Sequence, residues 1–227
     1  YMCGFAGFVG EVENREQVLE NMIDTIIHRG PDSSGKFVDE DAALGFRRLS
    51  IIDLSESGDQ PLYNEDRSKV LVFNGEIYNY QELREELIQA GHTFVSNTDS
   101  ETLIHGYEQW GEELVYRLRG MYAFAIWDQK AKRLFSARDI FGIKPLYYAQ
   151  MNGTLMFGSE IKSFLEHPKF DKVFNEDALG NYLSFQFVPT NETFFKGVFC
   201  VQPGHYFVYE NGKMTIKRYF EPNFTGD

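Results

Sequence analysis

The sequence predicts an α+β fold built on antiparallel sheets. Three observations carry that expectation. Runs of β-forming residues recur in pairs joined by short turns, the helical segments come in groups, and the regular strand–helix–strand alternation of a parallel sheet is missing. Aromatic residues make up 16% of the 227 positions, with 21 Phe and 13 Tyr, a supply of bulky side chains suited to sheet packing.

Taken in order, Phe5 to Val9 reads as a short buried strand, with Gly4, Gly7 and Gly10 permitting close backbone approach. Asn14 through Ile27 reads as a helix. Val18, Met22 and Ile26 recur at i, i+4 and i+8 beside Leu19, Ile23 and Ile27, Asn14 with Gln17 imitates a capping box, and Gly30-Pro31 end the segment. Ala43 to Ile52 is β-rich apart from Arg47 and Arg48, and Val70 to Phe73 runs as a strand into Asn74-Gly75-Glu76. Gln81 to Ala90 is a helix closed by Gly91, and Asp99-Ser100-Glu101 opens another with Leu103, Tyr107 and Trp110 on one stripe. Met121 to Trp127 and Arg133 to Ala137 form a hairpin, and Leu146 to Gln150 with Leu155 to Phe157 flank Asn152-Gly153, a type I′ turn signal. Short helices follow at Glu160 to Leu165 and Glu176 to Leu183. A last hairpin, His205 to Tyr209 and Met214 to Tyr219, turns at Asn211-Gly212.

Bulk properties exclude several functions. A net charge of −12 is the wrong sign for a phosphate-binding face, so no nucleic-acid partner is expected. No apolar run approaches the roughly 20 residues that span a bilayer, so no membrane partner is expected either. The opening stretch has no basic region and turns acidic, unlike a secretory signal, which points to the cytoplasm. Cys3 and Cys200 are then expected to stay reduced, with Cys200 a buried, unreactive thiol in the apolar run Gly197 to Val201. The five histidines show no ligand spacing and neither CxxC nor HExxH occurs, so no metal site is expected.

Cys3 is the residue with the most chemical options. If processing removes Tyr1 and Met2, its own α-amine becomes a base beside its thiol. A free α-amine has a pKa of about 7.7–8.0 and a cysteine thiol one of about 8.5, so only modest activation is needed. Acyl transfer also needs fixed N–H donors aimed at developing negative charge. Asn74 and Gly75 could supply a side-chain amide and an unobstructed backbone N–H, although the dipeptide alone reads better as a hairpin turn.

The order of motifs decides between those readings. Cys3-Gly4-Phe5-Ala6-Gly7, His28-Arg29-Gly30-Pro31-Asp32-Ser33-Ser34-Gly35, Arg48-Leu49-Ser50-Ile51-Ile52-Asp53-Leu54, Asn74-Gly75-Glu76-Ile77-Tyr78-Asn79 and Thr98-Asp99-Ser100-Glu101 together resemble the class II glutamine amidotransferases. Arg119 to Ala125, Ala137 to Tyr148, Phe157 to Lys162 and Pro203-Gly204-His205 resemble asparagine synthetases in particular.

The resemblance implies an N-terminal-nucleophile hydrolase fold, a four-layer αββα sandwich with two antiparallel sheets between helical layers. It also implies attack by Cys3, as the mature first residue, on the side-chain amide of L-glutamine, release of ammonia, and hydrolysis of a γ-glutamyl thioester. By the same resemblance Asn74 and Gly75 form the oxyanion hole, Arg48 holds the substrate α-carboxylate, and Asp99 pairs with the α-ammonium. Glu76 lines the glutamine pocket, and Leu49, Ile51 and Ile52 contact glutamine through their backbone. Alternatives beside these roles are a partly buried structural arginine for Arg48, a helix N-cap for Asp99 and an exposed turn carboxylate for Glu76. Arg47 points to the opposite face if this is a strand, His28 reads as a structural residue ending a helix, and Arg138 with Asp139 reads as an internal ion pair.

Asparagine synthetases continue into an ATP-dependent domain with a Ser-Gly-Gly-x-Asp-Ser loop, which these 227 residues lack. Residues 1–220 are therefore expected to form the glutaminase domain and 221–227 the start of a linker to a synthetase domain of the same parent chain. No cofactor is expected for the glutaminase part, ATP and Mg belonging to the synthetase domain, and a homodimer is left open. With Cys3 in amide linkage to Met2 there is no α-amine, so the form beginning at Tyr1, read as a tag remnant before the initiator, is expected to be inactive. A non-catalytic glutamine-sensing or interaction domain on the same fold, or the glutaminase domain of another class II amidotransferase, is the alternative.

Overall fold

The computed structural model describes residues 3–49 and 59–223. Twelve strands among them form two six-stranded sheets in which neighbouring strands run antiparallel. The first sheet holds β1 (Gly4–Val9), β2 (Ser33–Val38), β3 (Ala42–Arg48), β8 (Tyr147–Met151), β9 (Thr154–Gly158) and β10 (Val198–Cys200), in the order β10-β8-β9-β1-β3-β2. The second holds β4 (Leu62–Tyr63), β5 (Lys69–Ile77), β6 (Gly120–Asp128), β7 (Arg133–Arg138), β11 (His205–Glu210) and β12 (Lys213–Arg218), in the order β12-β11-β7-β6-β5-β4.

Side-chain alternation turns these sheets into a sandwich. Phe5 and Val9 of β1, Leu44 and Phe46 of β3, Val70 and Val72 of β5 and Ala123, Ala125 and Trp127 of β6 share one central core between the sheets. The intervening residues face outward. Ala6, Phe8 and Ala43 pack on Val18, Leu19, Met22 and Ile23 of α1 (Arg15–Asp24), while Leu71, Phe73, Phe124 and Ile126 pack on Leu103, Ile104 and Tyr107 of α3 (Asp99–Trp110). Helix α2 (Tyr80–Gln89) adds Leu83 to that outer cluster, and α4 (Glu176–Phe185) lies at the periphery. The four layers anticipated from the sequence are thus present. At one end of the sandwich the indole N–H of Trp127 donates to Asp39 Oδ2 at 2.7 Å, tying the second sheet to the β2–β3 turn of the first.

Several local expectations change. Helix α1 begins at Arg15 because Asn14 adopts a left-handed conformation (φ 53°) and caps nothing; Gln17 bonds Asn21 instead of closing a capping box. The helix ends at Asp24, and tight turns carry the chain to Gly30. Residues 161–166 form a 3₁₀ turn. Arg138 and Asp139 are not an ion pair among the described residues. Arg138 donates to the carbonyls of Gly142, Lys144 and Val201, and Asp139 accepts from the amides of Tyr122, Phe141, Ile143 and Lys144. Asn152-Gly153 and Asn211-Gly212 do turn hairpins, all four residues at positive φ. Gly91 closes α2 with φ 101°: its amide bonds the carbonyl of Ile88 while that of His92 bonds Leu87, a Schellman motif.

Phe157 of β9 is fully buried between the sheets beside Phe5. Phe157→Ala is expected to cost about 3–5 kcal/mol of unfolding free energy, measurable by urea titration, because neither sheet can close on the cavity without moving the other.

Candidate active site

Cys3 stands two residues before Phe5, so strand alternation turns its side chain inward, and it packs against the edge of the central core. Gly4 pairs with Arg47 across β1 and β3, which brings the end of β3 alongside the cysteine. There the Leu49 amide donates to Cys3 Sγ at 3.4 Å, and Sγ lies 3.7 Å from the Leu49 carbonyl. Arg29 holds the cysteine from the other side: its Nε donates to the Cys3 carbonyl at 3.1 Å and its Nη1 pairs with Glu160 at 2.9 Å. Gly4 makes that possible, since a Cβ there would sit 2.7 Å from Arg29 Cδ.

The two arginines at the end of β3 separate as strand parity requires. Arg47 faces outward, donating to the Ile23 carbonyl and pairing with Asp24 of α1. Arg48 falls on the inward parity of Leu44 and Phe46 and donates to Asp59 Oδ1 at 2.7 Å. His28 lies outside the cleft, half exposed, with its Nε2 2.8 Å from Glu160. Ile51 and Ile52 lie outside the described residues.

Asn74 and Gly75 do not form a turn. They sit inside β5, Asn74 opposite Ala123 and Gly75 opposite Tyr122 of β6, so the hairpin reading of that dipeptide is overturned. Asn74 shares the inward parity of Val70 and Val72, is 2% exposed, and its Nδ2 finds no hydrogen-bond partner among the described residues. Leaving a buried donor unmet costs about 1–3 kcal/mol. Gly75 has φ 156°, and a Cβ there would meet the Met121 carbonyl oxygen at 2.1 Å.

The free side of β5 is bracketed. Gln60 binds both backbone groups of Phe73, Oε1 accepting from its amide at 2.6 Å and Nε2 donating to its carbonyl at 3.1 Å. Asp99 Oδ2 accepts from the Ile77 amide at 2.8 Å. Backbone direction repeats every second residue, so the Gly75 N–H points into the interval between Gln60 and Asp99.

Asp99 is the first residue of α3, with Thr98 in the N-cap position, so its carboxylate serves β5 as well as the helix start. Burial pushes its pKa up, the amides of Ile77 and Ser100 pull it back in part, and the charge of Glu76 adds to the rise. Glu76 is exposed on the same face of β5 as Asn74. Lys144, whose backbone is fixed on Asp139, was not singled out by sequence as a site residue. Burial and then Arg29 lower its pKa, while Asp139, Cys3 and Glu76 raise it, so it senses charge from both sheets. Gln60, Arg29 and Asp59 were likewise missed as site residues; Arg29 and Lys144 fall within the motif runs, Gln60 and Asp59 outside them. Cys200 is a free thiol whose pKa burial raises, with Arg138 Nη1 3.0 Å from its sulfur.

A family model described as a glutamine amidotransferase domain matches residues 2–220. The chain belongs to that family. Its relatives include asparagine synthetase [glutamine-hydrolyzing] 1 of Bacillus subtilis, 46% identical over 98% of this chain and 36% of the relative, and a putative asparagine synthetase of Mycobacterium tuberculosis, 41% identical over 98% and 38%. The amidotransferase domain thus spans little more than a third of the length of these curated relatives. Among solved structures, the enzyme described as the allosteric regulatory enzyme of purine biosynthesis superposes with a TM-score of 0.74 at 20% identity, over 97% of this chain and 50% of that one. The glutamine phosphoribosylpyrophosphate amidotransferase of B. subtilis superposes at 0.71 and 21%, over the same shares. Both bear out the sandwich fold.

The raised pKa of Asp99 has a thermodynamic signature. Its folded value lies above its unfolded value, so the stability it contributes is full below the unfolded pKa and is lost as pH rises through the folded one. Asp99→Asn is therefore expected to leave the melting temperature at neutral pH unchanged or higher, and to remove this component of the pH dependence in a series of thermal melts.

Proposed function

We propose that this amidotransferase domain hydrolyses L-glutamine to glutamate and ammonia through a thioester on Cys3. The observation that carries the reading is Asn74: a buried amide donor with no partner among the described residues, on the inward face shared by Cys3. Placed on the face of the nucleophile, that unmet donor is available to a ligand atom, which would offset its cost.

With Cys3 as the first residue, its α-amine takes the thiol proton and the thiolate attacks Cδ of the glutamine side chain. Negative charge develops on the amide oxygen, and Asn74 Nδ2 with the Gly75 N–H receives it. The protonated α-amine then delivers its proton to the leaving nitrogen and ammonia departs. Water, deprotonated by the same amine, attacks the thioester and releases glutamate, regenerating the thiol. Arg48 offers a guanidinium fork to the substrate α-carboxylate, and Asp99 balances the α-ammonium, which offsets the penalty of its own burial. Leu49, Ile51, Ile52 and Glu76 line the substrate. Arg29 and the Leu49 amide position the nucleophile. The reaction requires no cofactor.

The ammonia is destined, in this reading, for an ATP- and Mg-dependent synthetase domain of the same parent chain, and the acceptor is aspartate. Two observations support that partner: the relatives are asparagine synthetases of which this domain matches about a third, and Leu183, Phe185 and Phe187 at the end of α4 leave an apolar face exposed. The parent enzyme is placed in the cytoplasm.

The test is a glutaminase assay on protein processed to begin at Cys3. Asn74→Ala is expected to lower kcat about 10²–10³-fold while leaving the melting temperature unchanged or higher, because its Nδ2 bonds none of the described residues. Equal loss of stability and activity would instead make Asn74 structural. Chain retaining Tyr1-Met2 is expected to match a Cys3→Ala control, and vigorous turnover by it would refute the α-amine as base. In the processed enzyme the acid limb of kcat/KM is expected to combine titration of the α-amine base with that of Asp99, whose component lies above the usual aspartate range, and Asp99→Asn is expected to remove only that second component.

A further inference from the structure

On the outer side of the second sheet, four side chains from three separate segments converge. His105 and Glu108 lie three residues apart on α3 and so share one of its faces. His92 follows the Gly91 turn that ends α2, and Glu65 lies in the turn between β4 and β5. One ligand-type atom from each falls within 4.8 Å of all the others. His105 Nδ1 is 3.0 Å from Glu108 Oε2 and 3.6 Å from Glu65 Oε1, and His92 Nδ1 is 3.8 Å from Glu108 Oε2. Donors around a tetrahedral zinc, each about 2.0–2.2 Å from the metal, stand roughly 3.3–3.5 Å apart, so these separations bracket the required spacing.

The outer contacts are those a metal site needs. A ligating imidazole uses one nitrogen on the metal and donates the other to an acceptor that fixes the ring. Here both Nδ1 atoms face the cluster and both Nε2 atoms face acceptors. His105 Nε2 is 3.5 Å from Glu101 Oε1, and His92 Nε2 is 3.1 Å from Gln109 Oε1. Glu101 is itself buried and held by the amides of Val95 and Ser96, each at 2.7 Å. The second oxygen of Glu108 accepts from Asn64 Nδ2 at 2.7 Å. His105 is 2% exposed with its ring against the edge of Phe94, so one ligand is rigid before any ion arrives. The nearby cation Lys69 lies 3.6 Å from Asp128, outside the cluster.

We propose that Glu65, His92, His105 and Glu108 form a structural site for a divalent transition-metal ion, with zinc the best match to two imidazoles and two carboxylates. Four protein ligands complete a tetrahedral shell and leave no open position for chemistry. The ion would clip α3 to the loop after α2 and to the β4–β5 turn. Spacing along the sequence gave no hint of it because the ligands come from three segments.

The test is zinc titration of the 227-residue chain, carrying no polyhistidine segment, on a Cys3→Ala background, which removes one of the two free thiols as a competing ligand. Calorimetry is expected to show one saturable equivalent at micromolar metal, cobalt(II) substitution the intense visible bands of a tetrahedral centre, and zinc a higher melting temperature. His92→Gln and Glu65→Gln alter the less buried ligands, so the fold, checked by circular dichroism, is expected to survive. Each should weaken zinc at least about tenfold and abolish the thermal shift. Absence of saturable one-equivalent binding, or binding that both substitutions leave intact, would overturn the proposal.

Discussion

Face-to-face packing of two sheets is the constraint from which the site follows. Once Phe5, Phe46 and Val72 must bury themselves between the sheets, the parity of every other residue on β1, β3 and β5 is fixed. Cys3, Arg48 and Asn74 fall on the inward parity near one end of the sandwich, and Arg47 is turned out onto α1. A one-residue slip of β3 against β1 would exchange Arg47 for Arg48 at the cleft and turn Leu44 and Phe46 out of the core with them. The apolar core therefore specifies the polar site, although few of its residues touch it.

The site carries its own thermodynamic burden. Asn74 keeps a donor without a partner among the described residues, Asp99 keeps a carboxylate whose charge is disfavoured by burial, and Gly75 holds a backbone geometry hostile to any side chain. Compensation comes from neighbours. Gln60 supplies both hydrogen bonds that a longer β4 would have given Phe73, and Arg29 anchors the cysteine backbone while pairing with Glu160. Asp139, by accepting four amides, holds the turn from which Lys144 rises.

Much of this was legible in the chain, for physical reasons that can be named. The Asn152-Gly153 and Asn211-Gly212 hairpins were readable because positive φ at both turn residues is what that dipeptide tolerates. The same dipeptide at 74–75 misleads when taken alone, since β5 continues to Ile77 and pairs with β6 rather than with a strand immediately following. Strand β2 carries no apolar alternation, being a largely exposed edge strand, and passed unnoticed. Cys3, Arg48, Asn74 and Asp99 stood out as members of an ordered motif set. Gln60 and Asp59 did not, because they act on β5 and on Arg48 across distances that only the folded chain closes.

The link between Trp127 and Asp39 gives the molecule an optical property. The chain has two tryptophans, and the layers separate them. Trp127 is almost fully buried in the inter-sheet core with its indole hydrogen-bonded to a carboxylate, whereas Trp110 ends α3 in the outer layer with the Arg117 guanidinium 4.3 Å above its ring. Their emission therefore reports different events. One indole registers separation of the two sheets, the other the docking of the helical layer, so a single intrinsic fluorescence spectrum can distinguish loosening of the outer shell from opening of the sandwich.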